Sequence, residues 1–491
     1  MQKITIRNFG AIEYAEIEVK KILVLIGEQA SGKSTIAKLI YFFKSLRDDL
    51  FVQIYKYTDR DLFKKVPDIV FPEDYFFMNY FISTIEKRFY DFFGSISHLP
   101  NFEIIFYYNV EKNKYLQLSF NNHDKKLNSQ FSDGFLNENF SSVVNHMIKL
   151  FEDKNLTYTE IQEKLSNDIY DQLAYEQNKI IYAQRISDLL NGLFESNQIN
   201  SLFIIAGRNA TVSYSELFEK YLFANIQSSL EDNRIASWQS KEQTIDEILM
   251  LKFIEKIIKI KKIFKKFVNF RELIESYEKD NIKIEKLRLI TYKIKQIMKG
   301  EYCIDNRGEK IVFNQETEEY VYLSNASSGQ QEVIRILQDI FLNILDDVKV
   351  LRIIEEPEAH LFPIAQKQLI ELLSVMVNHD EDNQLIITTH SPYILTVFNN
   401  LLFANRVVEK NPSAALEVAE IIPKDSWLKA QDFSAYSLGN QSVSETTHYC
   451  ESIFNAEKGT IQQNYLDTVS EILGSDFQTL YSIHARTFKR R

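Results

Sequence analysis

The chain opens on alternation. Ile4 and Ile6 within residues 2–7, and Ile17 and Val19 within 14–19, keep the period of two of a half-buried strand, and the two runs predict a hairpin. The pattern then condenses into ILVLI at 22–26, a continuous apolar run of the kind a strand buried on both faces carries. After a glycine-bearing turn, STIAKLIYFFKSL at 34–46 changes to helical spacing. Further on, residues 103–108 and 115–120 predict a second hairpin, and LFIIA at 202–206 a buried strand. Most of 140–200 and 215–299 reads as amphipathic helices, with Asp280–Asn281 as a turn between two long ones, giving a hairpin-like arm over roughly 245–299. From 301 the strand signal returns, with a hairpin around Asn306–Arg307–Gly308. A helix starting near Ser328 follows, then a strand at 350–354, a helix at 363–377 and a strand at 384–388. Strands alternating with helices predict an α/β domain with a mostly parallel, helix-covered sheet.

Composition adds limits rather than detail. At 491 residues, two or three structural units are expected, and 45% hydrophobic residues with 36 Phe and 26 Tyr exclude a disordered chain. The formal charge of −11 is uneven: residues 251–300 hold 15 Lys/Arg against 6 Asp/Glu, a local +9 that leaves −20 for the rest. Lys252, Lys256, Lys259, Lys262 and Lys266 follow helical spacing and predict one basic face, which could track a phosphate backbone or simply be solvated. Cys303 and Cys450 match no metal or redox spacing, and are expected to be ordinary thiols in a reducing compartment. The N-terminal residues lack the apolar core of a signal peptide, and no run approaches the ~18 apolar residues of a membrane span. A cytoplasmic protein without membrane contact is the expectation.

Candidate chemistry sits at the strand ends. GEQASGKST, residues 27–35, fits G-x-x-x-x-G-K-[ST] between a buried strand and a helix, where phosphate-binding chemistry requires it. Gly27, Glu28, Gln29, Ala30, Ser31 and Gly32 would curl so that backbone N–H groups point at phosphate oxygens. Lys33 would reach the β- and γ-phosphates of ATP, the Ser34 hydroxyl would ligate Mg²⁺, and Thr35 would continue the helix N-terminus. IIEEPEAH, 353–360, ends an apolar strand with two carboxylates, the pattern of a Walker B segment: Glu355 for Mg²⁺ and Glu356 to orient or deprotonate the attacking water. SNASSGQQE, 324–332, places Ser327, Ser328, Gly329 and Gln330 at the start of a helix, a second anion nest with Ser328 as a candidate N-cap. LIITTHSP, 385–392, ends a further apolar strand in His390, 34 residues after Glu356. Alone, such a histidine is more often structural.

These motifs, in this order, resemble those of ABC ATPases, over roughly residues 1–45 and 301–405. The resemblance implies an α/β fold, a split ABC-type P-loop ATPase head with a large helical insertion. It also implies a signature turn at 327–330 that caps the γ-phosphate held by another subunit, and His390 as the switch histidine. The wording EEPEAHLFP, TTHSPYIL and ASSGQQE is similar to the overcoming-lysogenization-defect (OLD) family of SMC-like ATPases. That group includes the ATPase subunits of the Septu (PtuA) and PARIS (AriA) anti-phage systems. IIAGRN, 204–209, resembles a strand–Gly–Arg element of these relatives; Arg208 could reach phosphate across a subunit interface or be an ordinary surface arginine. Against the pattern stand Glu355 where Asp is usual, a Q-loop glutamine for which Gln53 is only a guess, and no Asp-x-Asp after His390, the metal motif of an OLD nuclease.

The expected organisation is an N-terminal lobe with the P-loop at 1–45 and a mainly helical insertion at 46–300. A C-terminal lobe with signature, Walker B and switch histidine at 301–405 and an accessory segment at 406–491 complete it. The expected function is an ATP-hydrolysing sensor or scaffold in anti-phage defence. It would assemble head-to-tail with itself as a dimer or larger oligomer, control a separate effector nuclease, and respond to DNA or a phage protein. The alternative is an SMC-like ATPase of DNA repair or chromosome maintenance.

Overall fold

A computed structural model of the chain describes residues 1–59, 73–135, 181, 183–184, 187–196, 200–213, 244–276, 281–314, 316–317, 319–439, 449–462 and 475–482. The expected first hairpin is β1 (Gln2–Phe9) and β2 (Ile12–Val19), paired antiparallel with Ile4 opposite Ile17. β4 (Phe102–Asn109) joins the other edge of β1, and β5 (Lys114–Asn121) and β6 (Lys126–Phe131) extend an antiparallel sheet of order β2-β1-β4-β5-β6. Strict in–out alternation along β4 and β5 turns one face onto a buried aromatic layer. There Phe43 of helix α1 (Lys33–Asp59) stacks on Phe106 at 5.2 Å, and Phe42 meets Phe89 of α2 (Glu73–Phe93) edge-on at 5.5 Å.

The second sheet has the order β14-β13-β3-β12-β11-β7. β3 (Ile22–Gly27), β7 (Asn200–Ile204), β11 (Val350–Glu355), β12 (Gln384–Thr389) and β13 (Phe433–Leu438) are parallel, and β14 (Cys450–Ser452) runs antiparallel at the edge. Its strands feed two cores in alternation. Ile22, Val24, Ile204, Ile354 and Ile387 enter one cluster, whereas Leu23, Leu25, Phe203, Ile353 and Ile386 enter the other. This double burial is why ILVLI is an unbroken apolar run; the polar residues that its partner strands do carry, such as Arg352 of β11 and Ser437 of β13, are buried with them. The second cluster also holds the aromatic layer, so α1, α2 and the antiparallel sheet cover that face.

The opposite face is covered by α3 (Ile245–Phe267), α4 (Phe270–Glu275), α5 (Asn281–Met298), α6 (Ser328–Leu345), α7 (Pro363–Asn378) and α8 (Pro392–Lys410). Between α5 and α6, β8 (Glu301–Asp305), β9 (Gly308–Asn314) and β10 (Glu319–Tyr322) form a small sheet of order β10-β9-β8 that contains the expected turn at 306–308. Here the structure corrects the reading of 245–299 as an arm. Phe253, Ile257, Ile260 and Phe264 of α3, and Ile290, Ile294 and Ile297 of α5, are buried in the same core as α6 and α7. The basic face is divided as well. Lys252 lies over the Tyr41 ring at 5.8 Å and Lys256 meets Asp339 at 3.5 Å, while Lys259, Lys262 and Lys266 are exposed. Burial lowers the Lys252 pKa to about 8. Lysines further along the segment also find carboxylates outside it: Lys261 pairs with Glu309 and Lys293 with Glu371. Part of the local positive charge is thus paired with carboxylates from the acidic remainder of the chain.

Gln53 is no Q-loop glutamine. The backbone of α1 is helical through that position, 20 residues beyond Lys33 and therefore about 30 Å along the axis. The stretch after 405 also contributes to the head itself, because β13 pairs with β3 from Phe433–Ile22 to Leu438–Gly27. Cys303 and Cys450 are free, and burial pushes their thiols up to about 11 and about 12. Among the described residues, no helix is long and apolar enough to cross a membrane.

Candidate nucleotide site

The site is built on the carboxyl edge of the parallel sheet, where ligands of such sheets collect. β3 ends in the P-loop. Gly27 has no room for a side chain, since a Cβ would collide with the Leu438 carbonyl oxygen of β13. Gly32 has φ +79°, and a Cβ there would lie 2.7 Å from Tyr449 Oη. Ala30 takes φ +60° to close the turn. Glu28, Gln29 and Ala30 are exposed, Ser31 is buried, and Ser34 and Thr35 lie in the open first turn of α1. Lys33 is buried and folded back: its Nζ donates to the carbonyls of Gly27 at 2.9 Å and Glu28 at 2.6 Å and to Ser31 Oγ at 3.3 Å. Burial lowers its pKa, and the charge of Glu356 is the largest influence holding it up. Tyr449, from the edge of β14, donates its hydroxyl to the Ser31 carbonyl at 2.5 Å. Nothing in the local pattern around Tyr449 pointed to the P-loop, because the contact spans 418 residues.

Two strands away, β11 ends in the carboxylate pair. Glu355 is buried; its Oε2 accepts from Ala206 N at 3.2 Å, and its Oε1 has no hydrogen-bond partner. An orphaned, buried carboxylate oxygen at this place fits Mg²⁺, which takes one or two protein oxygens together with phosphate. Glu356 is half-buried and left-handed at φ +43°, held by its N–H on the Thr388 carbonyl at 2.9 Å. His390, just past β12, places Nε2 3.3 Å from Glu356 Oε1. Glu358, the third acid of the EEPEAH run, accepts from Thr389 Oγ1 at 2.5 Å and from His390 N at 3.0 Å, and so fixes the backbone on which His390 stands.

The signature turn caps α6, with one correction. The N-cap is Ser327, not Ser328: Ser327 Oγ accepts from Gln330 N at 3.4 Å, and Gln330 Oε1 accepts from Ser327 N at 3.1 Å, a capping box. Ser328 is the first helical residue, and both serines are exposed. Gly329 is packed so closely on the Walker B exit loop that a Cβ would lie 2.6 Å from the His360 carbonyl oxygen. Gln331 clamps the incoming turn by donating to the carbonyls of Leu323, Ser324 and Ala326.

Arg208 is neither a surface arginine nor available to a neighbouring subunit. It is fully buried beyond β7, pairs with Glu332 of α6 at 3.2 Å, and donates to the carbonyls of Glu355 and Glu356 at 2.6 and 3.0 Å. Burial lowers its pKa and Glu332 is the strongest influence opposing that, yet an arginine stays protonated throughout.

A P-loop at β3 and a signature turn anchored beside β7, with the carboxylates on β11 between them, is the ground plan of an ABC-type ATPase head. The chain belongs to the AAA ATPase domain family, whose family model matches residues 1–395. Solved structures similar to it include the SMC head bound to the C-winged helix domain of ScpA, at 11% identity over 80% of this chain and 91% of that one, with a TM-score of 0.32. The SMC head domain from Thermotoga maritima follows at 10% identity, 80% and 90% coverage, and a TM-score of 0.30. A Smc head with an extended coiled coil, bound to the C-terminal domain of ScpA and derived from Pyrococcus furiosus, shows 12% identity, 81% and 92% coverage, and a TM-score of 0.32. No curated protein matches the chain.

Proposed function

We propose that this ATPase binds ATP between two copies of itself, hydrolyses it with Glu356, and serves as the ATP-gated sensor or scaffold of an anti-phage system with a separate effector nuclease. The observation that carries hydrolysis is the convergence of Lys33, Glu355, Glu356 and His390 on adjacent strand ends of one sheet. Lys33 Nζ, now held by loop carbonyls, exchanges them for the β- and γ-phosphate oxygens. Ser34 and Glu355 would hold Mg²⁺, which when bound neutralises phosphate charge. Glu356 takes a proton from the water that attacks the γ-phosphorus, the bond to the β–γ bridging oxygen breaks, and ADP and phosphate leave. His390 keeps the Glu356 carboxylate turned to the site.

Sharing between copies is supported by spacing. β12 and β11 separate β3 from β7, so the P-loop strand and the edge that anchors the signature turn are about 14 Å apart. The exposed Ser327–Ser328 pair is therefore free to face the nucleotide of a neighbour. Mixing Lys33→Ala protein with Ser328→Arg protein tests this: a mixed dimer carries both lesions at one interface and none at the other, so activity should return. No recovery with mixed dimers demonstrated counts against shared sites.

The defence role rests on the likeness of EEPEAHLFP, TTHSPYIL and ASSGQQE to the OLD group. The packing of α3 and α5 into the core, rather than outward as a coiled coil, favours it over a chromosome-maintenance role. Incubating the purified chain alone with plasmid, linear DNA and tRNA, with ATP and Mg²⁺ or Mn²⁺, should give no cleavage. Cleavage abolished by mutating this chain's own carboxylates overturns the separate effector.

A further inference from the structure

We propose that Arg208 is a positioning residue for hydrolysis, tying the signature helix to the backbone of the Glu355–Glu356 pair. The inference rests on Glu356 as the group that orients the attacking water. Every nitrogen of the buried guanidinium has a task. Nη1 donates to the carbonyls of Glu355 at 2.6 Å and Ile205 at 2.9 Å, Nη2 donates to that of Glu356 at 3.0 Å, and Nε donates to the Glu332 carbonyl at 3.3 Å. The Arg208 backbone N–H adds a bond to Glu332 Oε2 at 3.1 Å. Glu332 stands one helical turn after Ser328, so the two share a face of α6. Whatever engages the signature turn moves a helix that is bonded, through one rigid side chain, to the carbonyls of both catalytic acids.

Glu356 is the residue most in need of such a hold. Its φ of +43° is costly for a side chain with a Cβ and persists only where its surroundings impose it. The Thr388 carbonyl holds its N–H and Arg208 holds its C=O, so both sides of the strained residue are pinned. A planar fork can serve Glu355, Glu356 and Glu332 together; a lysine ammonium is a single point and cannot.

The test uses the full chain in three variants: Arg208→Lys; Arg208→Met with Glu332→Leu, which removes both charges and leaves no buried ion unpaired; and Glu332→Gln, which keeps side-chain shape. Thermal melting establishes folding, binding of a fluorescent ATP analogue counts competent sites, and turnover is expressed per bound nucleotide. We expect ATP affinity within about twofold of the parent while kcat per bound ATP falls by about 100-fold in the first two, as a misplacement near 1 Å would produce. Glu332→Gln should lose about tenfold, and is decisive if changes at 208 prevent folding. A purely structural arginine predicts fewer binding-competent molecules with unchanged turnover per bound ATP, and that result overturns the proposal. Glu356→Gln is the control: if it turns over like the parent, the assignment of Glu356 falls rather than that of Arg208.

Discussion

The two halves of the nucleotide site are held in opposite ways. At the P-loop the working side chain is restrained by its own loop: Lys33 Nζ reaches carbonyls five and six residues away, while Tyr449 and the Leu438 carbonyl close on the loop from afar. At the carboxylate end almost every restraint is distant. Arg208 holds Glu355 and Glu356 from 147 and 148 residues away, and Glu358 holds His390 N from 32. On the proposed mechanism, a loop that releases its lysine to an arriving phosphate is better served by replaceable local bonds. On the same mechanism, a carboxylate that points at one water in a left-handed conformation needs a scaffold that does not move with it.

That contrast can be broken by experiment. The largest effect is expected from Glu356→Gln, which keeps shape but removes the proton acceptor: turnover should drop by about 10²- to 10⁴-fold while ATP stays bound. Lys33→Ala should instead abolish ATP retention, and filter binding beside steady-state turnover separates the two. Rapid turnover by Glu356→Gln would show that the carboxylate end is not where hydrolysis is decided. Arg208→Ala should come next, destabilising the fold by about 3–5 kcal/mol in urea titration because Glu332 is left as an unpaired buried charge. A loss below about 1 kcal/mol would place Arg208 with surface ion pairs and dissolve the contrast.

Smaller changes probe the P-loop side. Gly32→Ala imposes a Cβ at φ +79° against Tyr449 Oη and should cost about 1–2 kcal/mol. Combining it with Tyr449→Phe, which removes the obstructing oxygen, should recover part of that cost; strict additivity would mean that the two groups do not meet. Tyr449→Phe alone forfeits one hydrogen bond to the Ser31 carbonyl, worth about 0.5–1.5 kcal/mol. ATP affinity measured by fluorescence should therefore weaken only a few-fold.

Read by itself, the sequence already carried the first hairpin, the buried P-loop strand, the strands ending at Glu355 and Thr389, and the order of the motifs on them. These are short-range properties: a period of two, an unbroken apolar run, and glycines where the backbone must turn beneath a phosphate. The same pattern could not say which face each lysine of α3 would take. It also could not say that α3 and α5 pack down instead of standing out, that β13 closes the P-loop strand, or that Ser327 rather than its neighbour caps α6. Least legible was the role of Arg208: the IIAGRN wording singled the residue out, but neither its full burial nor its partners could be read from the letters. Only the tertiary structure sets β7 beside β11 and α6 above both. Burial of a charge is tolerated when every donor finds an acceptor, and those acceptors come from segments more than a hundred residues apart.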